Sequence, residues 1–172
     1  MPRSPISLRE IGVQFPPPLG RLAHACASLT LGAVGPLGDG NTAVTLDGTV
    51  NSVSSLAAVS PWTGWTAISF EYWVNNPAFA ATHEVVLSLG STGIYCSVQS
   101  GFPFMSIHTG TQFTTESATI LAANTWNHIV SAWQSGDRTH HYINGVEVST
   151  NNPSTRTGSL SASAGLHLGA FG

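Results

Sequence analysis

Apolar and polar residues alternate in short runs along most of the chain after residue 28, and turn residues separate these runs. Alternation with a period of two is typical of β-strands, and no segment shows a sustained helical period. Turns that recur about every 8 to 12 residues are typical of a sandwich or barrel. The predicted strands cover residues 42–46, 66–74, 84–89, 94–98, 102–108, 113–120, 125–134, 138–143, 146–149 and 166–170.

The longest of these strands, 66–74, has two faces that differ in kind. One face carries Ile68, Phe70, Tyr72 and Val74, and the other carries Ala67, Ser69, Glu71 and Trp73. Because both faces hold large apolar side chains, both are expected to be at least partly covered. Strand 113–120 is rich in threonine and is expected at a sheet edge or on a solvated face.

The clearest local pattern is a hairpin around Asn144-Gly145. Asn-Gly between two alternating runs favours the positive φ angles of a type I′ turn. The strand before the turn contains His140 and His141, whose rings must point to opposite faces. The two imidazoles are therefore not expected to chelate one metal together.

Composition narrows the class of protein. The 172 residues fit one domain, only 8% are charged, and the chain contains no lysine. Five scattered arginines form no basic patch, which argues against nucleic-acid binding. No apolar run is long enough for a membrane-spanning helix. Of the two cysteines, Cys96 alternates with apolar neighbours and is expected to be a small core residue.

Residues 1–27 differ from the rest of the chain. They contain the run Pro16-Pro17-Pro18, which favours an extended polyproline conformation. They lack the apolar segment of a signal peptide, so no signal peptide is predicted. We expect an extended or disordered Pro-rich arm over 1–27 and one β-sandwich domain over 28–172.

Five segments, in chain order, resemble motifs of concanavalin A-like, laminin-G-like domains. The segments 126–130 and 142–146 are similar to the family's W-x-H-hydrophobic and Y-x-N/D-G motifs. Segments 41–48, 70–74 and 166–169 resemble its A-hydrophobic-x-hydrophobic-D-G, E-x-W-V and L-x-hydrophobic-G strands. The resemblance implies an all-β fold, an antiparallel two-sheet jelly-roll sandwich. Trp73 and Trp126 are then expected to fill the space between sheets about 10 Å apart.

The chain departs from this family at its end, because the motif of the family's closing strand is absent before Gly172. A sheet without that strand would have an unpaired edge, which is a site for pairing with other chains. Two functions follow as hypotheses, besides that of a degenerate glucanase. One is a lectin-like recognition or adhesion module, extracellular or at a cell surface, that binds a glycan or a protein surface. The alternative is a structural or decoration subunit, for instance of a virion, that forms homo-oligomers or binds virion neighbours through its arm or open edge.

Catalysis is not expected. The glucanase members of this superfamily need a nucleophile and an acid carboxylate about 5 to 5.5 Å apart on one strand, and Glu71 is the only carboxylate on its strand. For a glycan, an aromatic platform beside amide groups is the expected site, and four residues around strand 66–74 supply these groups. They are Trp62, Trp65, Asn75 and Asn76.

Calcium is the cofactor that the resemblance implies, since similar domains bind it through loop oxygens. Asp39, Asn41 and Asp137 are the candidate ligands. The alternative interpretation is that these residues form turns beside their glycine neighbours.

Overall fold

A computed structural model of the chain describes residues 24–26, 30–37, 42–45, 53–55, 62–82, 84–89, 94–151, 154–161 and 166–169. The described residues contain strands and turns but no helix. In chain order the strands are β1 His24–Cys26, β2 Thr30–Val34, β3 Thr42–Thr45, β4 Val53–Ser55, β5 Ala67–Val74, β6 Glu84–Leu89, β7 Ile94–Gln99, β8 Phe102–His108, β9 Gln112–Glu116, β10 Asn127–Gln134, β11 His140–Ile143, β12 Val146–Val148 and β13 Leu166–Leu168.

The strands form two main antiparallel sheets. The seven-stranded sheet has the order β1-β4-β13-β6-β7-β8-β9, and the four-stranded sheet has the order β12-β11-β10-β5. Strands β2 and β3 pair separately, with a register shift between Leu31 and Ala33. This arrangement confirms the predicted all-β sandwich. Strand β9 lies at the edge of the larger sheet, as expected from its threonine content.

The core lies between the two main sheets. Buried apolar side chains of β6, β7 and β8 pack against those of β5 and β10, which is the interdigitation expected of a sandwich. Ile94, Cys96 and Ile129 are completely buried. Cys96 is a free thiol, and burial raises its pKa well above the ordinary range. The prediction that Cys96 is a core residue is therefore confirmed.

Two tight turns set the register of the hairpins. Asn144 and Gly145 have φ angles of 52° and 82°, as the predicted type I′ turn requires. Ser100 and Gly101 have φ angles of 50° and 85° and join β7 to β8 in the same way. At Gly101 a Cβ atom would also lie 2.7 Å from Cγ1 of Ile120, so glycine is required there on two grounds.

The central strands of the seven-stranded sheet are buried on both faces. Strand β7 alternates core residues with Tyr95 and Ser97, yet these are 8% and 0% exposed. Ser88 of β6 and Ser106 of β8 are likewise 0% exposed. The broad sheet face that remains open therefore belongs to the four-stranded sheet.

The predicted arm lies outside the described residues except at its end. There, β1 pairs with β4, so residues 24–26 take part in the seven-stranded sheet. No helix among the described residues is long and apolar enough to cross a membrane.

Candidate functional site

The structure separates the four residues predicted to form a binding rim. Trp62 and Trp65 precede β5, and Asn75 and Asn76 follow it. Strand β5 has eight residues and is about 25 Å long, so the two pairs lie at opposite ends of the sandwich. They do not form one site.

The two tryptophans at the first end have different environments. Trp62 is 9% exposed and belongs to the apolar core, so its ring is not available as a platform. Trp65 is 37% exposed and meets Trp62 edge to face, with ring centroids 5.5 Å apart. The backbone of this turn is also tied to Leu160, which donates its N–H to the carbonyl of Trp65 at 2.7 Å. The pair caps one end of the core.

At the other end, Asn76 is occupied by loop contacts. Its Nδ2 donates to Oε1 of Glu84 at 2.7 Å, and its Oδ1 accepts the backbone N–H of Ala78 at 3.0 Å. Asn75 is exposed. Asn76 therefore stabilises the loop that follows β5, whereas Asn75 has an accessible side chain.

Of the three predicted calcium ligands, Asp39 and Asn41 lie outside the described residues. Oδ1 of Asp137 accepts the N–H of Arg138 at 2.7 Å, and Oδ2 lies 3.3 Å from Nε2 of His140. Both oxygens thus face hydrogen-bond donors. No group of three or more His, Cys, Asp or Glu side chains within the described ranges is placed to hold a metal ion. The calcium site formed by Asp39, Asn41 and Asp137 therefore stays a prediction.

A different set of residues comes together on the open side of the four-stranded sheet. We call this surface the outer face and define it by side chains that alternate with the core residues of β5, β10, β11 and β12. Its members are Ser69, Glu71, Trp73, His128, Val130, Ala132, His140, Tyr142 and Glu147.

Trp73 is the largest exposed side chain of the outer face. It is 40% exposed, so the prediction that it fills the space between the sheets is wrong. The pairing of β5 with β10 turns Ile68, Phe70 and Tyr72 toward the seven-stranded sheet instead. Trp73 occupies the other side of the pleat and presents its ring outward.

The ring of Trp73 lies against His128, which the pairing of β5 with β10 places opposite it. Its centroid lies 4.7 Å from that of the His128 imidazole, with the planes tilted by 36°. Nε2 of His128 lies 2.8 Å from Oε1 of Glu71, whose side chain is 65% exposed. An aromatic ring, an imidazole and a solvent-facing carboxylate therefore lie side by side.

A second polar cluster lies at the far side of the same face. Nδ1 of His140 is 2.7 Å from Oε1 of Glu147, and its Nε2 is 3.3 Å from Oδ2 of Asp137. Nη2 of Arg138 donates to Oε1 of Glu147 at 3.2 Å. The hydrogen bond with His140 is the largest cause of a lowered pKa of Glu147. The pKa of Asp137 is lowered mainly by the N–H of Arg138.

The strand register fixes the distance between the two clusters. Glu71, Val130, Tyr142 and Glu147 lie opposite one another in a row across the four strands. Neighbouring strands lie about 4.8 Å apart, which places Glu71 roughly 14 Å from Glu147. Val130 and Tyr142 form a half-buried floor between the two carboxylates. The row is a shallow strip with an apolar floor and an acidic side chain at each end.

The inner side of the same sheet holds a buried polar group. His141 is 0% exposed, and its Nδ1 lies 2.9 Å from Oγ of Ser131. Its Nε2 lies 3.4 Å from Oγ1 of Thr115. Burial lowers the pKa of His141 to about 4. This confirms that His140 and His141 point to opposite faces, and it gives His141 a structural role.

The alternation of residues in the sequence predicts part of the outer face. It places Glu71 with Trp73, and His128 with Val130, on common sides of their strands. It does not predict the register in which β5 pairs with β10. The contact between Trp73 and His128 is therefore not predictable from either strand alone. The aromatic and acidic residues at alternate positions of β5 are the signal in the sequence that could have indicated this face.

The fold and the strand order define an antiparallel jelly-roll sandwich. Residues 38–170 match the family model Laminin_G_3, described as the concanavalin A-like lectin/glucanases superfamily. The chain therefore belongs to this family, which confirms the resemblance seen in its motifs. No curated protein matches the chain in sequence.

Solved structures share the fold at low sequence identity. The binding domain of Paraclostridial Mosquitocidal Protein 1 superposes with a TM-score of 0.68 and 12% identity, over 88% of this chain and 40% of that one. Domain 4 of AbnA, a GH43 extracellular arabinanase from Geobacillus stearothermophilus in complex with arabinotriose, superposes with a TM-score of 0.53 and 19% identity. This match covers 88% of this chain and 68% of that one. The receptor binding domain of botulinum neurotoxin type G superposes with a TM-score of 0.59 and 13% identity, over 86% of this chain and 38% of that one. The chain thus spans less than half of the first and third structures.

Proposed function

We propose that this protein is a non-catalytic carbohydrate-recognition module that binds glycans on its outer face. The observation that carries the proposal is the exposed ring of Trp73, held against His128 and next to the carboxylate of Glu71. Sugars bind to proteins through aromatic rings that cover their apolar faces and through a few polar groups that fix their orientation. The outer face supplies both kinds of group on rigid strands.

Two of the similar proteins support the proposal because they interact with molecules that carry sugars. Domain 4 of AbnA is bound to arabinotriose. The structure for botulinum neurotoxin type C is described in terms of interaction with two ganglioside molecules. An extracellular or cell-surface location belongs to the same proposal, since AbnA is itself extracellular.

The spacing of carboxylates supports binding over hydrolysis. Glycosidases place two carboxylates about 5 to 9.5 Å apart on either side of the scissile bond. The backbones of Glu71 and Glu147 lie three strand spacings apart, which is roughly 14 Å, and each carboxylate is turned toward a histidine of its own cluster. In the second cluster, the imidazole of His140 occupies the space between Asp137 and Glu147. Neither arrangement leaves a carboxylate pair open around a substrate.

A glycan array probed with the wild type and two tryptophan variants tests this function. Trp73→Ala is expected to lose at least about 2 kcal/mol of binding, which is roughly 30-fold in affinity, because exposed aromatic anchors dominate such sites. Trp65→Ala is the matched variant at the competing end of β5 and is expected to bind like the wild type. Thermal unfolding of each variant checks that the fold is intact.

Three results would contradict the proposal. The first is a wild type that binds no glycan, and the second is binding that survives Trp73→Ala. The third is a loss of binding on Trp65→Ala alone, which would move the site to the end of the sandwich that the sequence pattern suggested.

A further inference from the structure

We infer that the outer face selects glycans without acidic groups, so that its ligands are neutral sugars rather than sialylated or uronic-acid glycans. The inference rests on the proposed function and specifies the class of ligand. It follows from the charges that surround Trp73 and from the contacts that already occupy the arginines nearby.

Carboxylates lie at both ends of the strip whose floor is formed by Val130 and Tyr142. Glu71 contacts His128, whose ring lies against Trp73. Glu147 and Asp137 contact His140 at the far end of the strip. Arg138 is the only arginine in this cluster, and its guanidinium is already bound to Glu147 at 3.2 Å. Among these side chains, the three carboxylates of Glu71, Asp137 and Glu147 outnumber the single guanidinium of Arg138.

The other arginine among the described residues is directed elsewhere. Nε of Arg156 donates to Oγ1 of Thr109 at 3.2 Å, and its Nη2 donates to the carbonyl of Thr111 at 3.3 Å. Its guanidinium also lies 5.7 Å from the centroid of the Phe113 ring, on β9 of the seven-stranded sheet. Arg156 thus contacts the other sheet and does not offer a positive charge to a ligand beside Trp73.

These groups discriminate between sugar types by simple electrostatics. An ionised carboxylate accepts hydrogen bonds, so Glu71, whose side chain is 65% exposed, suits ligands that present hydroxyl donors. The carboxylate of an acidic sugar offers no donor and would lie near like charges, which costs free energy and suppresses binding of the wrong partner. A neutral oligosaccharide would place its apolar face on Trp73 and Tyr142 and its hydroxyls toward the carboxylates.

Matched glycan pairs that differ by one acidic sugar, such as lactose and sialyllactose on the same array, test the inference. Arabinotriose and trigalacturonate extend the comparison to a neutral and an acidic oligomer. We expect the wild type to bind the acidic member of each pair at least about tenfold more weakly than the neutral one. Because no ion pair forms with a neutral sugar, its affinity should change little between low and high salt.

Glu71→Gln tests the source of the discrimination. This variant removes the charge beside Trp73 and keeps an oxygen acceptor, so the preference for the neutral member should shrink several-fold. Glu116→Gln on β9 is the matched control, because it removes a carboxylate from the other sheet and should keep the full preference.

The possible outcomes separate the inference from the proposed function. Binding that depends on Trp73 but is equal or stronger for the acidic glycans would overturn the inference and leave the recognition function intact. A preference for neutral glycans that Glu71→Gln leaves unchanged would also overturn the electrostatic account. Absence of any binding that depends on Trp73 would overturn the proposed function itself.

Discussion

The indole of Trp73 and the imidazole of His128 lie with their centroids 4.7 Å apart on the solvent side of the four-stranded sheet. They occupy directly paired positions of β5 and β10, so the register of two strands creates the contact. His128 is in turn held by Glu71 at 2.8 Å. The orientation of the proposed platform therefore depends on a side chain that lies 55 positions further along the chain than Trp73.

Removal of this neighbour should weaken binding without removing the platform. His128→Ala is expected to lower the affinity for a bound glycan by about 3- to 10-fold, because an aromatic pair of this kind contributes roughly 0.5 to 1.5 kcal/mol. Isothermal titration calorimetry with the strongest glycan of the array gives the value. A smaller loss for His128→Phe, which keeps a ring against Trp73, identifies His128 as a positioning residue. An equal loss in both variants would instead indicate that the imidazole touches the ligand.

The buried His141 predicts a dependence of stability on pH. Its pKa is about 4 in the folded protein and 6.5 for an ordinary histidine, mainly because burial disfavours the charged form. The lowered pKa means that, as the pH falls, the unfolded state binds a proton at a higher pH than the folded state does. The contribution of His141 to the free energy of unfolding is therefore fully present above pH 6.5 and is lost as the pH falls toward 4. The loss amounts to about 3 kcal/mol at the lower end. Urea denaturation at pH 7, 6, 5 and 4 measures it.

His141→Gln is the control for this dependence. Glutamine still offers an oxygen and an amide group to Ser131 and Thr115 but does not titrate, so the slope of stability against pH between 6.5 and 4 should flatten. The lowered pKa values of Asp137 and Glu147 also cost stability in acid, but from near their ordinary values of 3.8 and 4.5 downward. An unchanged slope in His141→Gln would refute the assignment.

The turn at Gly101 makes a prediction about packing. Gly101→Ala must adopt a φ of 85° and place its Cβ 2.7 Å from Ile120, whereas Gly136→Ala adopts a φ of 87° with open space around it. The second substitution should cost about 1 to 2 kcal/mol for the left-handed conformation. The Gly101 substitution should cost roughly 0.5 to 1.5 kcal/mol more, because the exposed Ile120 side chain must leave its preferred rotamer to avoid the overlap. Equal unfolding free energies for the two variants would show that Ile120 moves aside freely.

The strands were largely predictable from the sequence, and the site was only partly so. Strands β6 and β8 begin and end at the predicted residues because alternation and flanking turns define them. The short β1 and β4 escaped prediction, since three residues are too few to show a period. Trp73 was placed on the wrong side because both faces of β5 carry large apolar residues. Only packing against β10 and the seven-stranded sheet decides which face is inside.

Trp62 shows the opposite error of interpretation. Its position between Pro61 and Gly64 is typical of an exposed loop, yet the ring is 9% exposed and packs into the core. A tryptophan in a loop at the end of a sandwich can either face solvent or fold back over the core. The sequence pattern does not distinguish these two positions. The proposed site therefore lies on the outer face around Trp73, near the end of β5, and not at the turn that contains Trp62 and Trp65.

The most direct test of the account follows the indole N–H resonances of the five tryptophans by NMR during titration with the strongest glycan of the array. Trp73→Phe assigns one of these resonances, and Trp65→Phe assigns another. The account predicts that the Trp73 resonance shifts progressively to saturation while the Trp62 and Trp133 resonances, from the core, stay in place. A titration that shifts Trp65 and leaves Trp73 unchanged would contradict the claim that the outer face is the binding surface.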